Sequence, residues 1–146
     1  MKNVILTEVQ KQKIKHIGKK YNLKLIIIHG SYATGKIKPD SDLDIGILGK
    51  KPLDYKTFGN IYLDLEEVFD NNESRELDIK SLHKIDPLFR YYVAKDSQLI
   101  YGDTYDYNEF RAYAFRLYFD SKDLLKLERL LVFKYQNHLN KKYLIL

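Results

Sequence analysis

The chain has 146 residues, 45% of them hydrophobic, no cysteine, and 25 Lys and Arg against 20 Asp and Glu, a formal net charge of +5. That length suits one domain able to bury a core unaided, and the missing cysteine excludes disulfides, thiolate metal sites and cysteine nucleophiles. Val4-Ile5-Leu6 is far too short for a signal-peptide core and no apolar run approaches a membrane span, so a cytoplasmic protein is expected.

Thr7 with Gln10 reads as a capping box opening a helix to about Tyr21, with Leu6, Val9, Ile14, Ile17 and Tyr21 on one broad face. Lys11, Lys13, Lys15, Lys19 and Lys20 crowd this helix, whereas Asp64, Glu66, Glu67, Asp70, Glu73 and Glu76 make the middle acidic. A solvated helix face accounts for the lysines better than a nucleic-acid patch. Leu23–His29, short and rich in β-branched residues, reads as a strand, and Gly30-Ser31 turns it into a short helical piece ending near Gly35. Pro39-Asp40-Ser41 is a turn, and Asp42–Leu48 the second strand, with Leu43, Ile45 and Ile47 alternating against Asp42, Asp44 and Gly46.

Asp54 caps a predicted helix whose Phe58, Ile61, Tyr62, Leu65, Val68 and Phe69 keep 3/4 spacing, and Asn71-Asn72 is its expected end. Glu76–Leu82 is the third strand, with Leu77 and Ile79 opposite Asp78 and Lys80. Asp86-Pro87 opens a short helix through about Ala94, and Gln98–Tyr101 a brief edge strand ending at Gly102. From Thr104 onward the pattern is helical, as one helix or as two broken near Asp120-Ser121. The expected architecture is α+β: a small mixed sheet flanked by helices, one domain over 1–146, with a core at about 5–101 and a helical C-terminal extension at about 104–146.

The chemistry concentrates between His29 and Leu48. Asp42 and Asp44, two apart on a strand, project from one face and repel unless a cation neutralises them; oxygen-only ligands suit Mg²⁺ or Mn²⁺. Asp78 joins them if its strand lies beside the second, which makes a two-metal site possible. Gly30-Ser31, at the carboxyl end of the preceding strand, can offer backbone N–H groups and a hydroxyl to phosphate. Ser41 either does the same or caps the turn, and Gly46 is expected to leave room for a nucleotide. Each part alone is a common surface feature; their order, spacing and strand context agree together.

Gly30-Ser31, ten intervening residues and Asp42-Leu43-Asp44 resemble the GSx10DxD signature of the DNA polymerase-β-like nucleotidyltransferase superfamily, with Ala33, Gly35 and Ser41 filling the longer Gly-Ser-x-Ala-x-Gly…Ser-Asp-x-Asp pattern. The short chain, Leu77-Asp78-Ile79 and the following Asp86-Pro87 resemble its minimal nucleotidyltransferase (MNT) group, commonly antitoxins encoded beside a HEPN-domain ribonuclease toxin. The likeness covers about residues 5–101. It implies ATP with two Mg²⁺ ions, and transfer of AMP to a hydroxyl with loss of pyrophosphate. By position, Asp42 and Asp44 would bind both metals, Asp78 would bind the catalytic one and help deprotonate the acceptor, and Gly30 and Ser31 would hold the β and γ phosphates. In the antitoxin group the acceptor would be a tyrosine of the HEPN toxin. Related proteins often have Arg at the position of Tyr32, for which Lys36 or Lys38 is the candidate substitute.

Two other functions compete: a binding antitoxin acting by occlusion alone, and a small-molecule nucleotidyltransferase of the aminoglycoside-modifying type. The latter usually carries a larger C-terminal domain than the roughly 45 residues after Gly102 allow. A polymerase or tRNA nucleotidyltransferase would need further domains, which argues against nucleic acid as direct substrate. His29 reads as a satisfied strand-end histidine, and His16, His83 and His138 lack metal-ligand spacing. Tyr113, Tyr118 and Tyr135 read as core or interface, and the C-terminal helices, with Arg111, Arg116 and Arg129 interspersed, as core or a docking surface for the toxin.

Overall fold

A computed structural model describes residues 3–69 and 75–143. Nine elements follow one another: α1 (Glu8–Lys20), β1 (Leu23–His29), α2 (Ser31–Thr34), β2 (Leu43–Gly49), α3 (Tyr55–Phe69), β3 (Leu77–Ser81), α4 (Pro87–Lys95), β4 (Ser97–Gly102) and α5 (Thr104–Tyr143). The four strands form one mixed sheet in the order β3-β2-β1-β4, antiparallel except for the parallel β2–β3 pair. The expected α+β architecture stands, with β4 as an edge strand.

Local chemistry sets the helix starts. The Thr7 hydroxyl accepts from the Gln10 amide while the Gln10 side chain accepts from the Thr7 amide, so two otherwise orphaned N–H groups are satisfied reciprocally. Asp54 accepts from Thr57 N–H, and Asp86 from the amides of Leu88 and Phe89 with Pro87 at the first helical position. The expected end of α3 at Asn71-Asn72 lies outside the described residues.

Period-two alternation in the strands then separates two cores. Ile26, Ile28, Leu43, Ile45, Ile47, Leu77 and Ile79 meet α1 and α3 on one face. Leu25 and Ile27 meet Leu82, Val93, Ala94, Phe110 and Ala114 of the α4–α5 side on the other. The α1 stripe is narrower than its spacing suggests. Ile14 and Ile17 are buried, but Val9 is 62% exposed because at about 100° per residue it points well away from them, and at that level Gln10 takes the inward side, its side chain donating to Val68 O.

The C-terminal region is one continuous 40-residue helix with no break at Asp120-Ser121. Neither residue is a helix breaker, and Ser121 lies on the face that points back toward α4. No described helix is long and apolar enough to cross a membrane.

Candidate active site

The turn after β1 exists because position 30 is glycine. Gly30 has φ +71° and ψ −145°, a conformation that side chains oppose. A Cβ there would also stand 2.5 Å from Asp44 Oδ2. The Gly-Ser turn and the second acid of the DxD pair are therefore in mutual contact, and glycine makes the contact possible. Gly30 contributes no side-chain cap to α2, so the first amides of α2, at Ser31 and Tyr32, have no intrahelical acceptor. The Gly30 amide itself donates to Asp96 O at 3.2 Å, which ties the turn to the end of α4.

Pairing register brings the acids together. His29 is the antiparallel partner of Asp44, and Asp44 the parallel partner of Asp78, so all three side chains leave one face of the sheet. Asp42 lies one residue before β2 begins, exposed at the mouth of the site. Burial, then the charge of Asp78, then that of Asp42 push the Asp44 carboxyl up to about 6, with Lys80 acting in the opposite direction. A hard divalent cation bound among these oxygens would relieve that cost, and the all-carboxylate donor set fits Mg²⁺ or Mn²⁺. Among the described residues no group of three or more His, Asp or Glu side chains is placed to hold a metal ion. Asp78 Oδ2 lies 3.5 Å from Lys80 Nζ, an ion pair with both partners well exposed and hence readily exchanged for a stronger cation.

Ser41 closes the loop that delivers Asp42: its hydroxyl accepts from Lys38 N–H at 2.8 Å and its own amide donates to Lys38 O. Of its two expected roles, the turn cap is the one observed. Lys36 and Lys38 are exposed in the same loop.

Two expectations fail. Gly46 does not leave room for a nucleotide: the position is buried, and a Cβ would meet the Leu82 methyls at 2.9 and 3.0 Å. Alternation put Gly46 on the acids' face correctly, but at that depth α4, α5 and Leu82 already cover the sheet. Nor is His29 a satisfied strand-end histidine. It is 7% exposed and its Nε2 has no hydrogen-bond partner. Phe89, edge-on at a centroid distance of 6.0 Å, seals the ring without offering an acceptor. Burial holds its imidazole down at about 4, so it is neutral beside the acids at neutral pH. By contrast, His83 does have a structural partner, accepting from Gly49 N–H at 3.0 Å.

Lys80 and Arg75 were missed from the sequence. Lys80, two residues after Asp78, shares its face, a signal that strand alternation contained. The Arg75 guanidinium lies 5.8 Å from the Tyr32 ring and donates to Phe69 O, placing a cation beside α2. Nothing local in the sequence announces that meeting.

Residues 12–106 match the model of the Polymerase beta, Nucleotidyltransferase family. Protein adenylyltransferase MntA of Aphanizomenon flos-aquae (strain 2012/KM1/D3) is 26% identical over 148 residues, covering 93% of each chain. Among solved structures, a toxin–antitoxin crystal structure with AMP-PNP matches at TM-score 0.64 and 22% identity, over 85% of this chain and 95% of that one. The tri-AMPylated Shewanella oneidensis HEPN toxin in complex with MNT antitoxin matches at TM-score 0.62 and 20% identity, over 87% and 95% of the two chains. The structural likenesses show the fold. The family match spans well over half the chain and contains the Gly-Ser turn and all three acids, so this protein belongs to the Polymerase beta nucleotidyltransferase family.

Proposed function

We propose that this chain is a cytoplasmic, Mg²⁺-dependent protein adenylyltransferase that moves AMP from ATP to a tyrosine hydroxyl of a HEPN-domain toxin and so neutralises it. The observation that carries this reading is the register pairing of Asp44 with Asp78 directly beside the Gly30 turn. Asp42, Asp44 and Asp78 would supply carboxylates for two Mg²⁺ ions, which when bound would neutralise charge on the triphosphate and lower the pKa of the acceptor hydroxyl. Gly30 and Ser31, with the free amides of α2, face the β and γ phosphates. The phenol oxygen forms a bond to the α-phosphorus as the bond to the bridging oxygen breaks. Pyrophosphate leaves, and the phenolic proton is taken at the Asp78 carboxylate. Neutral His29 keeps further positive charge away and lines the buried side of the site. The AMP-transferring relative and the nucleotide-bound and AMPylated neighbours agree with this chemistry.

The test is incubation with α-labelled ATP, Mg²⁺ and the product of the adjacent gene, followed by mass spectrometry for an added AMP. Label on the neighbour is expected. A second reading, occlusion without required catalysis, is favoured by the exposed apolar side chains of α5; tight association without label would select it.

A further inference from the structure

Along α5, one stripe does two different things. Its first part is core: Phe110 and Ala114 are buried against α4 and the sheet, Tyr118 is half-buried on Tyr91 of α4, and Leu117 is half-buried. The same helical face then continues through Ser121, Leu125, Val132, Tyr135 and Leu139, at the three- and four-residue steps that keep side chains aligned. Glu128 is its one charged interruption. What ends is not the stripe but its cover. Arg111 donates to Ala94 O at 3.0 Å, whereas Tyr91 meets Phe115 at 5.9 Å and stacks on Tyr118 at 3.9 Å, so α4 runs antiparallel to α5. Pro87, the first residue of α4, therefore falls level with about Ser121. Beyond it roughly 30 Å of helix continues, with Leu124, Leu131, Val132 and Tyr135 each between 57% and 67% exposed.

The end of α4 where the cover stops borders the candidate site at His29 and Lys80, while its other end holds the Gly30 turn through Asp96 O. Phe89, in its first turn, touches His29 edge-on, and Lys80 Nζ lies 5.3 Å from its ring centroid. A body seated on the distal stripe would abut Pro87 in line with α4 and reach the acids past Phe89 and Lys80. We propose that the distal half of α5 is the docking rail of the acceptor protein, taking an apolar helical segment in the place that α4 vacates and thereby presenting the acceptor hydroxyl to Asp78. This rests on the AMP-transfer reading above. Covering an exposed Leu or Tyr removes on the order of 100 Å² from water, so the four apolar side chains of the distal stripe, with Leu124 and Leu131 beside it, supply about 600 Å², the size of a small, transient interface. Between Arg129 and Tyr143 the helix has Lys and Arg but no Asp or Glu, so the matching edge of the partner is acidic.

The experiment uses the full chain and the product of the adjacent gene. The double variant Val132→Asp/Tyr135→Asp changes exposed positions outside both cores and is expected to keep its melting temperature and its affinity for AMP-PNP. The KM for the acceptor protein should rise at least tenfold with kcat at saturation unchanged, and co-elution of the two proteins should be lost. Unchanged KM would overturn the proposal, as would failure of the wild-type chain to bind the neighbour at all. So would a wild-type dimer that the variant converts to monomer with acceptor KM unmoved, since the rail would then serve a second copy. If wild type binds the neighbour through this rail but no AMP is ever transferred, the docking proposal survives and the catalytic reading falls.

Discussion

The acid-bearing end of the sheet and the distal half of α5 each carry an unsettled physical cost, of opposite kinds. At the sheet end, three carboxylates share a small region, and one of them is pushed to about 6 by burial and its neighbours. On α5, a core-type stripe runs on into solvent, with Val132 62% and Tyr135 64% exposed. The first cost is electrostatic and local, and a small cation bound there relieves it. The second is a matter of apolar area, and only a surface of comparable size covers it. A protein that tolerates both gains little stability from either, which is the pattern expected where residues are kept for binding rather than for folding.

Substitutions at the sheet end should give the largest effects. Asp44→Asn or Asp42→Asn should lower AMP transfer on the order of 10³-fold, the scale of losing a preorganised charge-stabilising group, while co-elution with the acceptor persists. Measured turnover equal to wild type would erase the contrast between the two regions. Asp78→Asn should keep much of the ATP binding and lose most of the rate; unaffected turnover would identify the wrong third acid.

Gly30→Ala tests the contact between turn and acid. It must hold a Cβ at φ +71° and 2.5 Å from Asp44 Oδ2, costing about 1–3 kcal/mol and displacing the carboxylate. Transfer should fall roughly 10²-fold, as for a misplacement of about 1 Å at a reacting centre. A melting curve and a single-turnover assay check the two halves of this statement.

Titration sharpens the electrostatic side. Asp44 is raised from 3.8 to about 6 in the fold, so the stabilisation it gives is full below about pH 4 and is lost as pH rises through 6. His29 is lowered from 6.5 to about 4, so its contribution runs the other way: present above pH 6.5 and lost as pH falls toward 4. In metal-free wild type the two slopes oppose each other between pH 4 and 6. Asp44→Asn removes one of them, and denaturant titrations of that variant should show stability rising by roughly 2 kcal/mol from pH 4 to 6.5. A flat profile in the variant would mean that His29 is not held neutral by burial.

The smallest expected effect is at Gly46→Ala. The new methyl must displace the Leu82 side chain, costing about 1–2 kcal/mol by overpacking, with affinity for AMP-PNP unchanged. A specific loss of nucleotide affinity would restore the nucleotide-facing role that the structure removes.

Local signals carried the element order and most of the motif. Capping residues at Thr7, Asp54 and Asp86 marked helix starts, alternation marked the strands, and Gly30-Ser31 with Asp42 and Asp44 marked the candidate site, because each rests on chemistry within a few residues of itself. Alternation also gave the correct face for Asp78 and Gly46. It could not supply depth along that face, so it did not distinguish a site residue from one beneath Leu82, or a satisfied histidine from one sealed by Phe89. Strand order paired Asp44 with Asp78 on one side and with His29 on the other, and the antiparallel run of α4 on α5 decided where the cover of the long helix stops. Those are contacts between segments tens of residues apart. A pattern with a period of two or 3.6 residues specifies which way a side chain points, whereas what it meets depends on which distant segment packs there.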